Sequence, residues 1–235
     1  MFKWIKNIFL KKYIKGLNNE NERKIFIEKS LKSIEKNKII LDAGCGSQQY
    51  KVYCSHLKYK TQDFAQYKID LKKSFFSSNE NYNYGELDYT SDIWNIQEKD
   101  NFFDVILCSE VFEHIPYPIE TVKEFSRLLK KDGTLILTAP SNCLRHMDPF
   151  FFYSGFSDNW FRKILEENNF KIEFIDPVGD YYSWLKVEIA RTMVHKSIIA
   201  KIILLPALLY FSFKNKNKES IQTLCMGYHV IAKKI

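Results

Sequence analysis

The segment IILDAGCGSQQ, residues 39–49, constrains the fold of this chain more than any other stretch. Its apolar start shows no alternation, which is typical of a strand buried on both faces of a parallel sheet. Gly44 and Gly46 follow directly and allow the backbone to turn sharply and to approach a ligand closely. A buried strand that ends in such a turn predicts an open α/β sheet with a ligand site beyond the strand ends.

The rest of the chain repeats the alternation of strand and helix patterns. Further strand-like segments are 57–62, 103–109, 134–140, 170–175 and 227–234. A helical stretch of roughly Glu20–Lys36 precedes the first strand and has Ile25, Leu31 and Ile34 near one face. These patterns predict a Rossmann-like, doubly wound α/β sheet of about seven strands. The length fits a single domain over residues 1–235, with an apolar helical insertion at 184–220 before the last strand.

Two acids accompany the glycine turn. Asp42 at the end of the first strand can fix the loop or accept a hydrogen bond from a ligand amine. Asp63 lies 21 residues further on, the spacing at which an acid reaches a ribose diol in nucleotide-binding folds; the alternative is a solvated loop aspartate. The third glycine of a dinucleotide-binding turn is replaced by Gln49, which argues against a pyrophosphate ligand.

A second cluster of polar residues, SEVFEHIPYP at 109–118, follows the fourth strand. Glu110, Glu113 and His114 have the spacing i, i+3, i+4, so one helical turn would present them together. Such ligands could hold Mg²⁺ or Mn²⁺. Alternatively, His114 is a general base oriented by Glu113, or the acids only favour the start of a helix.

The glycine turn resembles the first motif of class I S-adenosylmethionine (SAM)-dependent methyltransferases, D-x-G-x-G-x-G, with Gln48 at the final glycine. The resemblance implies SAM as the cofactor, with Ser109 at its site and with Asp88 and Tyr89, expected to end the third strand, near the adenine. The residues that it assigns to SAM binding are Asp42, Gly44, Cys45, Gly46, Asp63, Asp88, Tyr89 and Ser109.

The string E-V-x-E-H resembles the motif shared by ubiquinone-biosynthesis O-methyltransferases and small-RNA 2′-O-methyltransferases. In those families the matching acids and histidine are metal-linked, and the RNA enzymes add a histidine that His146 matches here. This implies catalytic roles for His114, Glu113 and His146. It also implies a metal set of Glu110, Glu113, His114 and His146, although the site could work without a metal.

Residues 146–154 also resemble the H-x-x-P-x-D-x-x-R segment of methyltransferases from polysaccharide gene clusters, with Phe151 and Ser154 in place of the acid and the arginine. We therefore expect O-methylation of a hydroxyl on a sugar, a glycan precursor or another small polar acceptor. The alternatives are an RNA 2′-O-methyltransferase, with nucleic acid the less favoured partner, and a non-catalytic module that binds a membrane or a partner. The formal charge of +7 fits an anionic partner or a lysine-rich composition bias.

Two segments could meet a membrane. Residues 1–19 are basic, and they could form an amphipathic helix on an anionic surface or pack on the domain. Segment 197–213 is strongly apolar but is short for a membrane span and contains Lys201 and Pro206. It could contact a membrane, a second subunit in a homodimer, or its own sheet. The five cysteines form no C-x-x-C pair, so we expect reduced thiols and a cytoplasmic protein. The two segments leave open whether that protein is associated with a membrane.

Overall fold

The computed structural model describes residues 19–67, 83–194 and 197–235, and a seven-stranded sheet dominates them. The predicted basic segment 1–19 lies outside this range except for Asn19. The strands are β1 Ile39–Ala43, β2 Lys58–Asp63, β3 Tyr89–Thr90, β4 Phe103–Ser109, β5 Leu129–Pro140, β6 Phe170–Val178 and β7 Gly227–Lys234. Their order in the sheet is β3-β2-β1-β4-β5-β7-β6. The predicted Rossmann-like α/β fold is confirmed.

The strand directions place the ends of the first five strands along one edge. β1 pairs in parallel with β2 and with β4, and the pairs β2–β3 and β4–β5 are also parallel. The last strand, β7, is antiparallel to β6. Ile235 N, after the end of β7, donates to Asn169 O before β6, whereas Met226 N, before the start of β7, donates to Val178 O at the end of β6. The chain order changes direction between β1 and β4, which is where open α/β sheets bind ligands.

Helices lie between the strands as the sequence predicts. They are α1 Asn19–Lys32, α2 Pro118–Leu128, α3 Asp158–Glu167, α4 Tyr181–Val194, α5 Ile198–Ser212 and α6 Lys218–Thr223. Pro118 stands at the first turn of α2, where its missing N–H costs nothing. The predicted grouping of Ile25 with Leu31 on one face was wrong: Ile27 and Leu31 form the buried stripe of α1, and Ile25 is exposed.

The described residues divide into two compact units. One contains Phe26–Asp176 and Tyr228–Ile235, with apolar clusters centred on Phe112 and Phe125 and on Ile40 and Leu31. The other contains residues 19–25 and Pro177–Gly227, and with them helices α4 to α6. The assignment of a single domain stays a prediction.

Helices α4, α5 and α6 occupy the predicted apolar insertion. Asp180 fastens the start of α4, because its Oδ1 accepts from Ser183 N at 2.9 Å and its Oδ2 accepts from the Ser220 hydroxyl at 2.8 Å. Within the described ranges, we find no helix that is both long and apolar enough to cross a membrane.

Candidate active site

The turn after β1 requires glycine at position 44 for two reasons. Its backbone adopts a left-handed conformation with φ of +70°, which costs a residue with a side chain free energy. A Cβ there would also lie 2.5 Å from Cγ2 of Val111 in the E-V-x-E-H segment. The glycine turn and the segment after β4 are therefore in direct contact.

Asp63 holds this turn from the end of β2. Its buried carboxylate accepts from Gly46 N at 2.9 Å through Oδ2 and from Ala65 N at 3.1 Å through Oδ1. Burial raises the pKa of Asp63, and the backbone N–H groups oppose that rise. A carboxylate has about four acceptor positions, so the predicted ribose acid keeps capacity for a ligand hydroxyl while it orders the loop.

Asp42 is buried and carries the most perturbed carboxyl of the turn. The Tyr59 hydroxyl donates to Oδ2 at 2.5 Å. Burial raises the pKa of Asp42 to about 7, the hydrogen bond from Tyr59 opposes the rise, and the charge of Asp63 adds to it. Both protonation states of Asp42 are consequently populated near neutral pH.

Two more of the predicted SAM-binding residues lie beside this turn. Cys45 is buried, and its N–H donates to Gln62 O at 3.0 Å. Ser109 ends β4, with its hydroxyl 3.0 Å from that of Thr138. Both positions lie at the carboxyl edge of the sheet.

Asp88 and Tyr89 lie at the amino end of β3. The carboxylate of Asp88 accepts from Lys60 Nζ at 2.6 Å and from Thr61 N at 3.0 Å, so it is engaged with β2. The expected position of Asp88 at the end of its strand was wrong, because β3 begins only at Tyr89. The Tyr89 hydroxyl donates to Glu98 at 2.7 Å.

Glu110 is separated from the other polar residues of its motif. It has a φ of +54°, and a short 3-10 turn begins only at Phe112. Its Oε1 accepts from the Thr138 hydroxyl at 3.0 Å, and its N–H donates to the Thr138 carbonyl at 2.9 Å. The predicted single helical turn with three ligands was therefore wrong, and Glu110 is fixed to β5 instead.

Glu113, His114 and His146 come together, with one ligand atom of each within 4.8 Å of the others. Oε1 of the buried Glu113 lies 3.7 Å from Nε2 of His114. The rings of His114 and His146 meet edge to face, with centroids 4.7 Å apart. This acid–histidine cluster contains the three predicted catalytic residues and three of the four predicted metal ligands.

Backbone carbonyls set the tautomers of both histidines. Nδ1 of His114 lies 2.6 Å from Phe150 O, and Nδ1 of His146 lies 2.8 Å from Leu144 O. Because a carbonyl only accepts, each Nδ1 carries the hydrogen and each Nε2 presents a lone pair. Burial is the main cause that lowers the pKa of His114, the bond to Phe150 opposes the shift and the nearby His146 adds to it, and together they place the pKa at about 4. His114 is thus neutral at pH 7 and suited to accept a proton or to bind a metal.

A loop between β5 and α3 completes the site, and the sequence did not reveal how it is held. Phe152 N donates to Glu113 O at 2.9 Å. The ring of Phe150 packs edge to face on Phe64, next to Asp63, with centroids 4.8 Å apart. The sequence did not predict a role for Phe64 or Gln62, because aromatic and amide side chains are common at the end of a strand in any sheet. The contact of His114 with Phe150 could not be predicted either, because it uses the backbone carbonyl, which every residue has.

Relatives identified by sequence cover part of this chain. An uncharacterised protein of Methanocaldococcus jannaschii is 33% identical over 129 residues, which is 53% of this chain and 52% of that protein. Malonyl-[acyl-carrier protein] O-methyltransferase of Paenibacillus sp. is 25% identical over 119 residues, 49% of this chain and 43% of the enzyme. The chain thus spans about half the length of these curated relatives.

Solved structures share the fold. Geranyl diphosphate C-methyltransferase of Streptomyces coelicolor, determined with Mg²⁺, geranyl diphosphate and S-adenosyl-L-homocysteine, superposes with a TM-score of 0.58. The match covers 92% of this chain and 79% of the enzyme at 12% identity. Residues 19–173, which include β1 to β5 and the acid–histidine cluster, match the family described as a methyltransferase domain. The chain belongs to this methyltransferase family.

Proposed function

We propose that this protein is a SAM-dependent methyltransferase that methylates a hydroxyl of a sugar, a glycan precursor or another small polar acceptor. The observation that carries the proposal is the convergence of a neutral histidine base with the glycine turn. Val111 joins the two, because it packs on Gly44 and lies three residues before His114. A donor site and a proton acceptor therefore share one edge of the sheet.

The glycine turn fits the methionine end of SAM. Gly44 leaves no Cβ at the closest approach, and the buried acids Asp42 and Asp63 suit the ammonium group and the ribose hydroxyls of the cofactor. Cys45, Gly46 and Ser109 complete the edge around it. Asp88, just before β3, and Tyr89, its first residue, lie on the adenine side in this proposal. When bound, SAM supplies an electrophilic methyl group on a sulfonium centre.

His114 acts as the general base in this proposal. Its Nε2 accepts the proton of the acceptor hydroxyl as the oxygen forms its bond to the methyl carbon. Phe150 O holds the ring in the tautomer that this step needs. Glu113 stabilises the imidazolium that results, at a distance of 3.7 Å. Alignment of the acceptor with the methyl group is worth up to about 7–11 kcal/mol of the barrier.

An oxygen acceptor is supported by the family resemblance and by the Paenibacillus relative, which is an O-methyltransferase. Aromatic side chains of the loop between β5 and α3, among them Phe152 and Tyr153, are exposed beside the cluster and can stack on the apolar face of a sugar ring. A carbohydrate hydroxyl is the acceptor that these surroundings suit best.

The decisive experiment incubates the protein with radiolabelled SAM and fractionated extract of its own cells. We expect label in glycan or glycolipid fractions, and none with the His114→Ala variant. Label confined to RNA, protein or quinone would overturn the acceptor and leave the methyltransferase standing. Failure of the folded protein to bind SAM in calorimetry would overturn both.

A divalent ion fits the acid–histidine cluster. One carboxylate and two imidazoles suit Mn²⁺ or another transition ion better than Mg²⁺. The carbonyls that accept from each Nδ1 are typical outer partners of metal-bound histidines. Glu113, His114 and His146 would hold the ion. The Nε2 lone pair of His114 would then be a metal ligand, and the ion, by lowering the pKa of an acceptor hydroxyl, would take the place of His114 as the group that favours loss of the proton.

Chelation tests this use of the cluster. EDTA should abolish turnover, Mn²⁺ should restore it, and Glu113→Ala should bind less Mn²⁺ in calorimetry. Glu110→Ala is the matched control, because Glu110 lies outside the cluster and should leave Mn²⁺ affinity within about twofold. Full activity in EDTA would instead leave His114 as a base that works without a metal.

The second candidate function is 2′-O-methylation of RNA. The meeting of His114 with His146 favours it, as does the charge of +7. Phosphate contacts would make RNA affinity fall steeply as salt rises. RNA binding that is absent or independent of salt would exclude this alternative.

A further inference from the structure

Helix α5, Ile198–Ser212, presents a continuous exposed apolar face. The side chains of this outer face are strongly exposed, up to 81% at Phe213 just after the helix. They include Ile198, Ile199, Ile202, Ile203, Tyr210 and Phe213. No charged or polar side chain interrupts them, because Lys201 and Ser212 lie on the side that is partly covered. A patch of this composition marks an interaction site.

The covered side of α5 meets α4. The ring of Phe211 stacks on Tyr182 with centroids 6.2 Å apart. Lys214 lies over the ring of Tyr210 at 4.7 Å and that of Tyr182 at 6.0 Å. Aromatic rings with a lysine at the end of an apolar helix are typical of the level of lipid headgroups.

Length and charge narrow the choice of partner. A helix of 15 residues extends about 22 Å, whereas the hydrocarbon core of a bilayer is about 30 Å thick. Residues 177–227 contain seven basic residues and three acidic ones, and Lys214, Lys216 and Lys218 follow the helix at once. Of the acids, Asp180 is bonded to serine hydroxyls and Glu188 pairs with Arg191 at 3.1 Å. Glu219 follows Lys218, so one acid stands beside the three lysines after the helix. The surroundings of the apolar face are therefore cationic.

We propose that α5 lies in the plane of an anionic bilayer, with its outer face among the acyl chains and the lysines that follow it at the headgroups. Apolar burial and the attraction of cations to anionic lipid both contribute to such binding. A second copy of the chain suits the face less well. Two copies paired in parallel through this face would bring Lys214, Lys216 and Lys218 of one copy close to the same lysines of the other.

The test is flotation of the full chain with vesicles of phosphatidylcholine alone or with one third phosphatidylglycerol. We expect binding to the anionic vesicles that weakens with salt. The double variant Ile202→Ser/Phe213→Ser should reduce the partition coefficient by at least about tenfold. A matched control is Val52→Ser/Ile235→Ser, since these side chains are 73% and 65% exposed elsewhere and should leave binding unchanged.

Three results would overturn the proposal. They are no binding to either vesicle, equal loss in both double variants, or a stable dimer in light scattering that Ile202→Ser/Phe213→Ser converts to monomer. SAM affinity, measured by calorimetry, should be the same in the double variant and in the unmodified protein, which separates this surface from the methyltransferase site.

Discussion

At the residue scale, Gly44 and Asp42 are the two positions whose physical demands are sharpest. Gly44 has no room for a side chain beside Val111, and burial raises the pKa of the Asp42 carboxyl to about 7. Both requirements arise from neighbours that are distant in sequence. Each of them gives a prediction that the other does not share.

Substitution of Gly44 by alanine should weaken SAM binding by at least about tenfold, because the new Cβ would collide with Val111 and the left-handed backbone costs about 1–2 kcal/mol. Calorimetric titration with SAM measures the loss. Gly179→Ala is the control. Gly179 has a φ of +65° and lies with Met226 in the unit that contains Pro177–Gly227, so the substitution should lower stability but not SAM affinity. Equal affinities of Gly44→Ala and the unmodified protein would contradict this reading.

The pKa of Asp42 predicts a pH-dependent stability. Its carboxyl titrates near 3.8 in the unfolded chain and near 7 in the fold. Between these values the unfolded state binds fewer protons, so the free energy of unfolding should fall as pH rises from about 4 to 7, by at most about 1.4 kcal/mol per pH unit. Above pH 7 this contribution is constant.

Asp42→Asn should remove that slope, since the amide does not titrate and its oxygen can still accept from Tyr59. Urea unfolding of both proteins at pH 5 and pH 8 provides the measurement. The unmodified protein should lose more stability between the two pH values than the variant does. Parallel losses would show that Asp42 is not the group responsible.

At the element scale, the strands of the sheet were predictable and the connections at the site were not. β4 and β7 have the bounds that the sequence predicts, and for β4 this follows from burial on both faces, which selects an apolar run. Glu110 adopts a left-handed backbone that breaks the expected helical turn, and Asp88 precedes its strand instead of ending it. Both errors come from bonds to Thr138 and Lys60, partners that sequence spacing does not identify.

Ser157 caps helix α3, because its side chain accepts from Trp160 N at the start of the helix. Ser157→Ala should therefore lower the free energy of unfolding by about 1 kcal/mol, as the loss of such a cap does. Denaturant unfolding checks the value. Ser157→Asp keeps an acceptor and should restore most of the stability, whereas equal losses in both variants would point to a cause other than the cap.

At the scale of the whole molecule, the chemistry of the first unit is better specified by sequence than the role of the second. The glycine turn and the E-V-x-E-H string each consist of adjacent residues, so both can be recognised in the sequence without knowledge of the fold. The meeting of His114 with His146 depends on β4 and β5 being neighbours, which the order of strands predicts. The exposure of α5 depends on packing, and its sequence alone was equally compatible with a buried helix.

SAM should raise the thermal stability of the protein, since a ligand that binds only the folded state stabilises it by about 2.7 kcal/mol at a hundred times its dissociation constant. For a chain of this size that corresponds to roughly 5–11 °C in Tm. Scanning calorimetry with and without SAM measures the shift. NAD is the control, because Gln49 replaces the glycine that a pyrophosphate would need, and an equal shift with NAD would contradict the assignment of the turn.

The five residues from Glu110 to His114 have a consequence for the precision of the proposed reaction. Val111 touches the donor turn, Glu113 O fastens the acceptor loop, and Phe112 between them is fully buried. The proposed donor turn and acceptor loop are thus positioned by the same short segment, which is fixed in the apolar core by Phe112. Variation in the distance between donor and acceptor is then limited by packing in the core and not by motion of the loops. In-line transfer of a methyl group requires such a fixed distance.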